Sequence, residues 1–148
     1  MAHPPATIPT MTSTRTRRLE ELTKRLGVTV HYEPVPILVR YGDAARRLEG
    51  FYHRHTHSIL IDGTLPATVR EAALAHELAH ALHGDDGHQA PRIERARDEE
   101  AAHLLITPEE YARAERLVDS GDPYRLAREL ETTIDVIQAW QHSWRAAS

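Results

Sequence analysis

The stretch "LAHELAHALHGD", Leu74 to Asp85, holds the residues best suited to chemistry. His76 and His80 stand four apart, and Glu77 directly follows the first. Residues four apart share one face of an α-helix, so both imidazoles can offer a nitrogen to one metal ion. Glu77 sits just beside that face, within reach of a water held by the ion. Zinc with three protein ligands and one open position lowers the pKa of such a water to about 7. Glu77 is then placed to take the water's proton and hand it to a leaving amine. Leu74, Ala75, Leu78, Ala79 and Leu82 make the helix apolar around the histidines. Two buried, unpaired imidazoles would be costly there. With 11 histidines in the chain the motif has a rival in chance, so its context has to carry the reading.

A catalytic site needs a third ligand, and three candidates compete. Glu94 comes first. In "ERARD" it stands four before Asp98, so the two share a face that Ala101 and Leu105 continue. A carboxylate ligand followed one turn later by a carboxylate that accepts a ligand histidine's N–H suits a metal site. Small residues at Ala101 and Ala102 would let this helix approach the His76 helix. His88 is the second candidate, by analogy with the longer motif His-Glu-x-x-His-x-x-Gly-x-x-His; here the glycine, Gly84, comes one residue late and the histidine two. Glu99 or Glu100 is the third, and either needs the helix rotated so that Ala101 loses its buried place. His83 lies ~10 Å along the helix from His76, too far for a shared tetrahedral site; it is expected to line the cleft or cap the helix end. His83, His88, His103 and Tyr111 are all candidate donors to a transition-state oxyanion.

The elements that must position these residues read as follows. "TRRLEELTKRLGV" repeats leucine at helical spacing and stops at Gly27. "VTVHYEPVPILVRY" reads as one or two short strands broken near Pro34 and Pro36. "GFYHRHTHSILIDG" alternates and is expected to be extended, with His53, His55 and His57 on one solvent-facing strand surface. A strand just before the His76 helix could also edge the cleft and pair with an extended peptide. From Pro66 onward each segment reads helical, punctuated by Gly84, Pro91, Pro108 and Gly121. The fold expected is α+β: a small N-terminal antiparallel or mixed sheet, then a mainly helical remainder carrying the His-Glu-x-x-His helix. Residues 1–14 read as a disordered tail, 15–148 as a single domain, and 108–148 as its helical C-terminal part.

Composition narrows the function. The 148 residues suit one domain, and a formal charge of −4 offers no basic surface for nucleic acid or membrane. Cysteine is absent, so thiol catalysis and Cys-based zinc sites are excluded. No apolar run approaches the ~20 residues of a membrane span, and the N-terminus lacks the apolar core of a secretory signal. A cytoplasmic location is the default expectation.

Taken together, these residues resemble the ImmA/IrrE family of zinc metallopeptidases. The similarity runs from about Val28 to about Trp140 and rests on "GFYHRHTHSILIDGTLPATVREAALAHELAHALHG", then "ERARDEEAAHLLITPEEY". It implies a gluzincin-like core with His76 and His80 as zinc ligands, Glu77 as the base and Glu94 as third ligand. Asp98 matches a position where the family has Asn or Asp. The chain departs from the family at Arg97, usually Ala, and at Glu100, usually aromatic. The resemblance further implies an intracellular zinc endopeptidase acting on a protein, a helix-turn-helix repressor of a bacterial or phage regulatory module. The alternative is a zinc-containing partner that binds such a regulator without cutting it. "LARELETTIDVIQAW" itself looks like part of a helix-turn-helix, but its second helix offers only Arg145 as a basic residue. Packing or partner recognition is therefore expected there, not direct DNA binding.

Overall fold

Proline and glycine set most of the boundaries. The computed structural model describes residues 11–34, 38–41, 44–47, 49–87 and 89–147. Helix α1 (Met11–Leu26) leads into strand β1 (Thr29–Glu33), a hairpin of β2 (Leu38–Tyr41) and β3 (Ala44–Arg47), and then β4 (Gly50–His53) and β5 (Ser58–Asp62). Helices α2 (Ala67–His83), α3 (Pro91–Leu105), α4 (Pro108–Val118), α5 (Pro123–Glu129) and α6 (Ile134–Ala147) follow. The fold is α+β with a mainly helical remainder.

The main sheet is mixed, in the order β1-β5-β4, with β1 parallel and β4 antiparallel to β5. Ile59 and Ile61 of the central strand are fully buried, and α2 packs against β4 and β5. The core continues through Leu78, Ala102, Leu105, Ile106, Leu126 and Ile137. Val136, Ile137 and Trp140 of α6 are buried, and α6 packs on α3. That segment's apolar residues thus complete the core. Among the described residues no helix is long and apolar enough to cross a membrane.

Two local expectations are corrected. "GFYHRHTHSILIDG" is not one extended segment but a hairpin that turns at 54–57. His57 adopts φ 50°, and Thr56 Oγ1 holds both His53 Nδ1 (3.0 Å) and Ser58 Oγ (2.6 Å). His53 ends β4 while His55 and His57 lie in the turn, so the three do not share a strand face. The alternation misled because polar residues that alternate along a strand also suit a tight polar turn.

The second correction concerns the N-terminus. Helix α1 begins at Met11, so the expected tail boundary at residue 14 falls inside it; residues 1–10 lie outside the described ones. Arg15 of this helix has a fully buried side chain. Its Nε donates to Leu105 O (3.0 Å), Nη1 to Glu71 Oε1 (2.9 Å) and Glu131 O (3.1 Å), and Nη2 to Leu130 O (2.6 Å). Leu105 ends α3, and Leu130 and Glu131 follow α5, so one guanidinium satisfies carbonyls that helix ends leave unpaired. Arg18 adds a bond to Leu105 O (2.8 Å) and an ion pair with Glu110 (2.9 Å).

Removing Arg15 would strand the Leu130 carbonyl and the Glu71 charge and leave Leu105 O to Arg18 alone. Arg15→Ala is expected to cost about 3–5 kcal/mol, read as a lower urea midpoint. Arg15→Lys should recover little, since an ammonium cannot span four acceptors set by a planar fork. A loss below about 1 kcal/mol for Arg15→Ala would contradict this assignment.

Candidate metal centre

Helix α2 runs from Pro66 to a left-handed turn at Gly84 (φ 63°). Its buried face includes Leu74, Ala75, Leu78 and Ala79, and beside it His76 and His80 look toward α3. Their Nε2 atoms are 3.1 Å apart. Glu94, in the first turn of α3, brings Oε2 to 3.0 Å from His76 Nε2 and 3.1 Å from His80 Nε2. Among the described residues this is the one group of three side chains able to share a metal ion.

The donor set fits a tetrahedral cation. Ligands at zinc-like bond lengths would stand roughly 3.3–3.5 Å apart, a few tenths of an ångström wider than the spacing here. Without an ion, two ring nitrogens and a carboxylate at these distances need a proton between them to avoid facing lone pairs. Glu94's other oxygen accepts from the backbone N–H of Gln89 (3.0 Å), which aims Oε2 at the histidines. Burial works to raise Glu94's pKa, but the Gln89 N–H and both imidazoles outweigh it and hold the carboxyl below its usual range.

Each histidine has a carboxylate behind it. His76 Nδ1 lies 2.7 Å from Asp98 Oδ1, close enough for an ion pair but too poorly angled for a hydrogen bond. His80 Nδ1 meets Asp85 Oδ2 at 2.8 Å. Asp85 is in turn held by Arg97, Nε to Oδ2 at 2.6 Å. That contact, above all, keeps the Asp85 carboxyl below its ordinary pKa and raises that of Arg97.

Glu77 is buried between α2 and the sheet. Burial raises its pKa; the two imidazoles and the Tyr52 backbone N–H oppose that, and Glu94 adds to it. The backbone bond follows from the register. Asp62 N–H donates to Glu49 O, so Phe51 and Leu60 form the next hydrogen-bonded pair. The peptide groups of Gly50 and Tyr52 therefore point out of the sheet edge. Gly50 gives Glu77 its room: a Cβ there would lie 2.8 Å from Ile61 Cδ1 and 3.2 Å from Glu77 Cγ.

The other candidates lie elsewhere. Glu99 pairs with His142 of α6. Glu100 binds His83 Nε2 (2.7 Å) and Arg97 Nη1 (3.1 Å). His103 stands nine residues after Glu94, on the opposite face of α3, where it contacts Ser143 and Trp140. Tyr111 stacks on Trp140 at 3.9 Å, and its hydroxyl accepts from Gln141. Neither His103 nor Tyr111 has its partners in the His76–His80–Glu94 group. His88 lies outside the described residues. Reading the sequence alone missed Asp85, Arg97, Gly50 and the Gln89 N–H. The only signal for Asp85 was its place directly after the helix-ending glycine.

The cluster's protonation sets how it should bind a cation. Burial pulls the His76 pKa down, but the Asp98 contact and the charges of Glu77, Asp98 and Glu94 prevail and raise it to about 9. At neutral pH a cation must displace that proton. Affinity for a divalent metal should therefore climb by about tenfold per pH unit and level off above about 9. Competition titrations between pH 6 and 8 measure this, and an affinity flat across that window would contradict it.

No curated protein sequence matches this chain. A family does: the IrrE N-terminal-like domain of peptidase family M78 matches residues 23–139, a span that takes in both histidines, Glu77, Glu94 and their partners. With so much of its length covered, the chain belongs to the ImmA/IrrE family of peptidases.

Proposed function

We propose that this protein is a zinc-dependent endopeptidase whose substrate is a protein, in particular a helix-turn-helix repressor. The observation that carries the reading is the triangle of His76 Nε2, His80 Nε2 and Glu94 Oε2, at 3.0–3.1 Å, with the buried Glu77 next to it on the same helix. Two imidazoles and one carboxylate form a donor set that zinc favours in hydrolytic sites, leaving a fourth position open. When bound, zinc acidifies water and polarises a carbonyl.

The chain's own groups do the rest. His76 and His80 supply the two ring nitrogens, and Glu94 supplies the third donor. Glu77 takes a proton from the attacking water and returns it to the nitrogen of the broken peptide bond. Burial raises its pKa, which favours its taking up the proton. The outer edge of β4 runs past Glu77, and the outward peptide groups other than the Tyr52 N–H, which Glu77 holds, can align an extended segment by main-chain hydrogen bonds. A helix-turn-helix regulator encoded beside this gene is the first substrate to try, on the strength of the family resemblance.

Glu77→Gln should lower cleavage of that regulator by about 10²–10⁴-fold with zinc content unchanged. Co-expression followed by gel analysis, with zinc measured on the purified variant, provides the readout. Equal cleavage by wild type and variant would defeat the mechanism. An intact regulator in a stable complex with the wild type would favour a partner that binds without cutting.

A further inference from the structure

The zinc-peptidase reading requires His80 to offer Nε2 to the metal, hence to keep its proton on Nδ1. The chain builds a device for this at the end of α2. Gly84 N–H bonds to Ala81 O (3.2 Å) and Asp85 N–H to His80 O (3.1 Å). This pair of bonds closes a helix through a left-handed residue, and the φ of 63° at Gly84 favours glycine there. The closure anchors the backbone of Asp85 beneath His80, and its carboxylate reaches back to Nδ1 at 2.8 Å. A carboxylate can only accept, so the Asp85 contact holds a hydrogen on Nδ1, and the neutral ring then offers its lone pair at Nε2 to a cation.

A short loop carboxylate could rotate away, and here a fork from α3 stops it. Arg97 Nε donates to Asp85 Oδ2 (2.6 Å), and Nη2 approaches Oδ1 at 3.4 Å. Its Nη1 donates to Glu100 Oε1 (3.1 Å), which tethers the guanidinium from its other side. Both the Asp85 and the Arg97 side chains are 12% exposed, whereas Asp98, behind the other histidine, is 58% exposed. Arg97 also lies one turn after Glu94 on the same helix. The clamp therefore ties the helix bearing one ligand to the ring of another.

We propose that Arg97 is a positioning residue of the metal site, acting through Asp85 to fix the orientation and tautomer of His80. This rests on the metallopeptidase reading and deepens it: Arg97, on the helix of Glu94, and Asp85, just past the helix of His80, form one clamp behind the site. Loss of Asp85 should weaken the site more than loss of the exposed Asp98.

The test is zinc affinity by competition with a chromophoric chelator at fixed pH. The proteins are wild type, Asp85→Ala, Arg97→Ala, Arg97→Lys and the Asp85→Ala/Arg97→Ala double variant, each checked for folding by circular dichroism. Asp85→Ala should weaken binding by about 10–100-fold. Arg97→Ala should weaken it by a smaller factor, and Arg97→Lys should fall between it and wild type. The double variant should bind no worse than Asp85→Ala alone, because Arg97 acts through Asp85. Long-range ¹H–¹⁵N spectra of the zinc-loaded proteins should show His80 protonated at Nδ1 in wild type and less uniformly so in Asp85→Ala, a change that general destabilisation does not produce. Wild-type affinity in Arg97→Ala, or fully additive losses in the double variant, would overturn the proposal while leaving the zinc site standing. A wild type that binds no zinc would overturn the metallopeptidase reading beneath it. Should Arg97→Ala fail to fold, Arg97→Lys decides: unchanged affinity there overturns the proposal.

Discussion

Two imidazole nitrogens and a carboxylate oxygen are held within 3.1 Å of one another at the seam between α2 and α3, and the rest of the structure follows from keeping them there. Such a cluster is unfavourable unless a cation or a proton occupies it. It persists only if both helices are fixed in rotation and in separation. Ala75 and Ala79 on α2, with Ala101 and Ala102 on α3, are buried and small, which lets the two helices approach. Leu78 and Leu105 fill the core beside them with no exposed surface. Asp85, Asp98 and Arg97 then set the rings within that frame.

The frame is secured from behind by an unusual use of charge. Arg15 reaches the end of α3, the end of α5 and Glu71 of α2 at once. A fully buried guanidinium needs that many partners, because each unsatisfied donor would cost what a lost hydrogen bond costs. The arrangement couples α1 to both helices that carry the His76–His80–Glu94 cluster. Cation binding at the seam and helix docking by Arg15 therefore stabilise the same pair of helices, and a bound metal should add to stability by mass action.

Legibility in the sequence followed the range of the interaction. His76, Glu77 and His80 were readable because their relation is one helical turn. Glu94 with Asp98 was readable for the same reason, though only as one of three choices, since choosing needed the angle between two helices. The helix bounds from Pro66 to Pro123 were marked by local punctuation. What stayed hidden depended on tertiary contact or on backbone sign. Nothing local marked Arg15, whose partners lie 56 to 116 residues along the chain. The His57 turn had the alternation of a strand until its positive φ closed a hairpin. Asp85 reaches His80 only through the left-handed turn at Gly84. Arg97 looked like a departure from the family pattern because its partner, Asp85, lies beyond the glycine that ends α2.

The most direct test of the central claim is an anomalous difference map from crystals of the zinc-loaded protein, recorded at the zinc absorption edge. The expected result is a single peak within bonding distance of His76 Nε2, His80 Nε2 and a Glu94 carboxylate oxygen, with a non-protein oxygen in the fourth position. A peak at the histidine-rich turn between β4 and β5, or one ligated by His88 in place of Glu94, would contradict it.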